Sequence, residues 1–176
     1  SLLIRKNNFR HHRLLGFFGI AIAVVITITL IPAGLYQVEK ELEQGLGQTA
    51  ISSLVGTITS GLIFMTLVVY GILKRFEPST HKRLMLLATI LLLWPAWFRF
   101  RHIFPSVPNP DIWFALVLAD SLIVISIVWD RITLGKFHPT LFYVGLFIII
   151  EQSVEVYLFD NPTWREVANK IYVLLT

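Results

Sequence analysis

At 176 residues, 55% hydrophobic and 15% charged, the chain departs from a soluble domain, which carries about 45–50% apolar and roughly 25% charged residues, and does so in the direction of a membrane protein. It has no cysteine, which excludes a disulfide framework, a zinc–thiolate centre and a cysteine nucleophile. The net charge of +4 comes from Lys and Arg placed between apolar runs, with no aromatic-interleaved basic patch, so no nucleic-acid partner is expected.

A helix crosses a bilayer with roughly 20 mostly apolar residues, and five runs meet that length: 14–38, 50–73, 84–100, 112–133 and 140–159. The first is too long for the apolar stretch of a secretory leader, about 7–15 residues, and lacks its small-residue ending, so it reads as a retained span. The chain starts at Ser1 without Met, which fits a processed protein or a piece of a longer one. Short loops make consecutive helices antiparallel neighbours, so residues 1–160 form one transmembrane bundle. Pro32 and Pro95 lie inside apolar runs, where each is expected to kink its helix.

Two rows of small residues mark the second run, Ser52/Gly56/Ser60 and Ser53/Thr57/Gly61. Such rows let helix backbones approach closely; the first is a candidate face for a membrane-protein partner or a homo-oligomer, or for packing within the chain. Gly16, Gly19 and Ala23 form a weaker counterpart on the first run. Beyond Asn161 the pattern changes. Thr163 and Glu166 have capping-box spacing, Pro162 suits a first helical turn, and Trp164, Val167, Ala168, Ile171, Tyr172 and Leu175 recur at helical spacing. Residues 161–176 therefore read as an amphipathic helix, lying along the outer membrane surface or packed across the end of the bundle. The fold class is all-α: five transmembrane helices plus this interfacial helix.

Orientation is set by where the basic residues fall. Arg5, Lys6, Arg10, Arg13, Lys74, Arg75, Lys82, Arg83, Arg131 and Lys136 share one side, against Lys40, Arg99, Arg101, Arg165 and Lys170 on the other. The excess places the N-terminus in the cytoplasm and the segment around Glu39–Glu43 outside.

Charges within a span are costly and face a partner or a cavity. Asp120 precedes Asp130 by ten residues, roughly 15 Å of helix, which brings it near the bilayer midplane. Glu151 falls at similar depth, and Glu155 shares its face one turn further out. Antiparallel packing is expected to bring Arg99 to Glu155, and Asp120 to Glu151 with Gln152 beside them. This polar cluster suits either a file for protons or a cation, or an internal network that sets helix register.

His12, His81 and His138 each stand at the cytoplasmic start of a run. If they converge, they are candidate ligands for haem or a transition metal, with Asp130 orienting one imidazole from behind. The other reading is that each simply sits at headgroup level. No phosphate loop, nucleophile elbow or paired-histidine protease helix is present, so a hydrolase is unsupported and a non-enzymatic role is favoured over an enzyme.

The same segments carry a resemblance. His12-Arg13-Leu14-Leu15-Gly16, the stretch from His81 through Thr89 (HKRLMLLAT), and Trp129-Asp130 followed by Gly135-Lys136-Phe137-His138-Pro139 resemble the signatures of an uncharacterised family of small bacterial multi-spanning membrane proteins. The resemblance spans most of the chain and implies a bacterial inner-membrane location. Members commonly carry one or two further apolar helices, with another histidine, ahead of the first segment, where this chain has eleven residues before His12. Lys136 stands where they usually have Arg, which keeps the charge but not its forked geometry. Three functions fit these observations: an accessory, assembly or binding subunit; a haem or metal protein using the histidines; and a small proton- or cation-coupled transporter using the carboxylates.

Overall fold

The computed structural model describes Ile4 and residues 6–176; Arg5, counted in the charge bias, lies outside them. Among the described residues six helices succeed one another: α1 (Phe9–Glu43), α2 (Gln48–Leu73), α3 (Pro78–His102), α4 (Asp111–Leu134), α5 (Thr140–Leu158) and α6 (Pro162–Leu175). No strand occurs among the described residues. The first five are long and apolar enough to cross a membrane, and the chain is an all-α bundle of the multi-pass membrane type.

Local chemistry sets the ends. The Asn8 side chain accepts from the His11 N–H, so α1 starts ahead of the apolar run and reaches 35 residues. The helix continues through Pro32, whereas Pro95 breaks α3. Its regular part stops at Leu91, the carbonyl that a residue with an N–H at position 95 would have bonded, and the chain resumes as Trp94–Phe98 and a 3₁₀ turn at Arg99–His102. α4 and α5 both open with a π-helical turn, at Asp111–Val117 and Thr140–Val144, each directly after a proline. Gly135 ends α4 at φ +71°, a left-handed conformation that glycine adopts without a Cβ penalty.

α6 starts two residues earlier than a capping box at Thr163 requires. Asn161 is the N-cap, its side chain accepting from the Trp164 N–H at 2.8 Å, and Pro162 occupies the first turn. Glu166 pairs instead with Lys170 at 2.7 Å. α6 packs on the bundle: Ile171 and Tyr172 join Val38 of α1 and Ala50 and Leu54 of α2. Its opposite face leaves Val173 and Leu174 exposed, so the helix is docked and still presents apolar surface, as an interfacial helix does.

The main core lies between α2, α3, α4 and α5. It is built from Phe64, Leu67 and Val68, Leu84, Leu87 and Leu91, Ile123, and Leu141 and Ile148. α1 adds Ala23 and otherwise leaves large apolar side chains such as Phe17, Phe18 and Ile28 on the outside. The two small-residue rows of α2 serve two different neighbours inside the chain. A Cβ on Gly61 would overlap Leu30 of α1, and one on Gly56 would overlap the Glu155 carboxylate of α5. Ser52 is fully buried, so the Ser52/Gly56 part of the first row is taken up by α5 and α6. Gly16 and Gly19 have no neighbour within 4 Å of where a Cβ would stand.

Candidate functional site

At the end of the bundle that holds the α2–α3 and α4–α5 turns, the histidines are used one by one. Nδ1 of His81 donates to the Gly71 carbonyl at 2.7 Å, which ties the start of α3 to the last turn of α2. Nε2 of His138 lies 3.1 Å from Ser79 Oγ, and burial, reinforced by the Arg83 charge, lowers its pKa. His12 is half-buried at the start of α1, its backbone N–H bonded to the Asn8 carbonyl. Among the described residues, no group of three His, Cys, Asp or Glu side chains could hold a metal ion. The metal-holding reading of His12, His81 and His138 therefore finds no such group, and the His81 and His138 rings are engaged by Gly71 and Ser79 instead.

Asp130 has a different partner from the one expected. Arg83, 3% exposed, donates from Nε to Asp130 Oδ2 at 2.6 Å and from Nη2 to Oδ1 at 2.7 Å. Its Nη1 reaches both the carbonyl and the hydroxyl of Ser79 at 2.7 Å. A planar fork on a carboxylate is the strongest form of such a pair, and here it locks α3 to α4. In the sequence alone Arg83 counts only as a loop charge. The available clue is its position at the start of the third run, directly before five apolar residues, where a cation needs a partner.

Halfway along the bundle the arrangement reverses, and carboxylates stand without cations. Asp120 is 7% exposed and neither carboxylate oxygen has a hydrogen-bond partner. Glu151 Oε2 and Gln152 Oε1 are likewise buried and unpartnered. Glu155 fits against α2 at Gly56, where the missing side chain makes room for it. The expected Arg99–Glu155 pair does not form: the ion pairs among the described residues are Lys74–Glu77, Arg83–Asp130, Asp160–Arg165 and Glu166–Lys170. The break at Pro95 carries Arg99 into the 3₁₀ turn at the end of α3, while Glu155 faces α2.

Two clefts open beside these carboxylates. One, of about 250 Å³, lies between α2, α5 and α6 and is lined by Thr59, Phe147, Ile150, Glu151, Val154, Glu155 and Trp164. The other, of about 430 Å³, runs between α4 and α5, with Asp120, Ser121 and Ser153 among Leu116, Val117, Val124, Ile125 and Ile149. Both open sideways, since Phe147, Ile150, Val154, Val117, Val124 and Ile125 belong to the exposed apolar surface.

The far end of the bundle is closed by a satisfied polar knot. Asp160 accepts from Thr49 Oγ1 at 2.9 Å, from Ser52 Oγ at 2.6 Å and from both Arg165 Nε and Nη2 at 2.9 and 2.5 Å. Arg165 first, then the two hydroxyls, hold the Asp160 carboxyl well below the usual carboxylate range. Trp164 Nε1 donates to the Ser52 carbonyl at 2.9 Å, and Gln48 to Asn169 at 2.9 Å. Comparison of the chain with protein-family models, curated proteins and solved structures finds no significant match.

Proposed function

We propose that this multi-pass membrane protein is a non-enzymatic accessory or assembly subunit of a bacterial inner membrane, with its N-terminus in the cytoplasm, and that it holds another membrane protein through the carboxylates at the middle of its helices. One observation carries the reading: Asp120 is buried with both oxygens unpartnered, beside a groove that opens on the apolar flank of the bundle. An intramembrane carboxylate is expensive unless paired, and a partner arriving from the side supplies what the chain lacks. Two other buried charges, Arg83 and Asp130, are spent on each other, which suits a rigid scaffold.

The test is the size of the natively expressed protein, extracted into lipid nanodiscs and weighed by native mass spectrometry. Wild type is expected to carry a further polypeptide, and Asp120→Asn to lose it. Wild type weighing as the free chain under these conditions would remove the proposal.

A second reading, a small proton- or cation-coupled transporter, is favoured by the cleft of Glu151 and Glu155 between α2, α5 and α6. Proteoliposome acidification that depends on Glu155 is the observation that would place it first. Haem or metal binding through His12, His81 and His138 has weaker support, because His81 and His138 are occupied by Gly71 and Ser79. Bound metal and haem content of His81→Ala and His138→Ala against wild type tests it directly.

A further inference from the structure

The groove between α4 and α5 has the form and the chemistry of a helix seat. Its α4 wall runs from Leu116 to Ile125, nine residue steps or about 14 Å of helix, along the axis of the bundle. Two of its polar positions, Ser121 and Ser153, are small, as at helix–helix contacts in membranes. Asp120 lines it, more than nine-tenths buried and without a hydrogen bond to either oxygen.

Residues 1–176 do not supply the missing cation, in this copy or in a second one. No Lys or Arg occurs in residues 14–39, 48–73, 84–98, 102–130 or 137–164, so every basic residue lies toward an end of a span, and Asp120 is near the middle of one. A lipid amine sits at the headgroup level, roughly half of a 30 Å hydrocarbon core away. A basic residue at the centre of a foreign spanning helix meets both requirements: it reaches the depth, and its ionic state is as costly in lipid as that of the acid it joins.

We infer that the α4–α5 groove receives a transmembrane helix of another protein, whose central Lys or Arg pairs with Asp120. The inference rests on the assembly reading above and names the chemistry of the partner. Glu151 and Glu155 line the other cleft, between α2, α5 and α6, so Asp120 is the one carboxylate among the residues that line this groove.

Because the chain has no cysteine, a single Lys136→Cys at the exposed end of α4 takes a donor dye. The full chain is reconstituted in phosphatidylcholine vesicles with acceptor-labelled 23-residue Leu/Ala transmembrane peptides carrying one central Arg or one central Gln. Energy transfer is expected to give the Arg peptide an affinity roughly tenfold above the Gln peptide, equivalent to ~1.4 kcal/mol. Asp120→Asn should erase that preference. Val124→Trp, which fills the groove and leaves the acid in place, should weaken both peptides. Equal binding of the Arg and Gln peptides to wild type overturns the inference, as does self-association of dye-labelled chains that excludes both peptides. A native complex that depends on Asp120 but whose partner helix has no central basic residue leaves the assembly reading standing and refutes the inference. An Arg preference without any native complex does the reverse.

Discussion

The Arg83–Asp130 pair offers the sharpest test of how this bundle is held together. Arg83 makes four hydrogen bonds at 2.6–2.7 Å, two to Asp130 and two to Ser79, and is 3% exposed. In Arg83→Met, Asp130 keeps its burial and loses both charged donors. In Asp130→Leu, the guanidinium retains Ser79 and loses its counter-charge. Removing one member of a buried ion pair costs about 3–5 kcal/mol, whereas replacing both by apolar residues of similar volume is often neutral. Each single variant should therefore lose about 3–5 kcal/mol, and the double variant Arg83→Met/Asp130→Leu should recover most of it, giving a coupling energy of about 3 kcal/mol or more. Asp130→Leu should be the milder single change, because the Ser79 carbonyl and hydroxyl still receive Nη1. The assay is reversible unfolding in mixed micelles, monitored by helical circular dichroism, for wild type, both singles and the double. Additive losses, with the double variant as unstable as the two singles combined, would refute the pairing.

Packing, titration and topology each give a further expected outcome. Gly56→Val should destabilise by about 1–3 kcal/mol through overpacking, since its Cβ would stand 2.7 Å from Glu155 Cδ; Glu155→Ala in the same chain should relieve the loss, and no relief would place Glu155 elsewhere. Arg165 and the hydroxyls of Ser52 and Thr49 hold the folded pKa of Asp160 below its unfolded value, so its contribution is full above about pH 3.9 and is lost as pH falls through the folded pKa. Acid titration of α6 docking, read from protease access to the 161–176 segment, should show this loss in wild type and lack it in Asp160→Asn; identical titrations would exclude Asp160 as the anchor. For orientation, a cysteine at Gln44 should label with an impermeant reagent in intact cells and one at Ser79 should not, the converse pattern reversing the topology.

What the residues determine by themselves here is local. Run length and hydropathy mark five helices, as the unbroken apolar stretch ahead of Val38 and the one after Thr140 illustrate. Turn chemistry marks where they start and stop: Pro162 at the head of α6, Gly135 beyond the foot of α4. Pro95 and Pro32 look alike in sequence, yet α3 breaks and α1 continues, since the cost of a lost helical bond depends on what surrounds the freed carbonyl. Partners are a different matter. Arg83 finds Asp130 47 positions away, Gly56 admits Glu155, and Asp120 finds nothing. These pairings depend on how far each helix is turned about its own axis. One residue more or less in a turn rotates the remainder of the helix by about 100°, and the π-helical openings of α4 and α5 introduce such offsets. Depth along a span comes from counting residues, which is why Asp120 is legible as a central charge. The direction it faces, and hence whether it meets Arg83, Glu151 or open groove, belongs to the packed bundle alone.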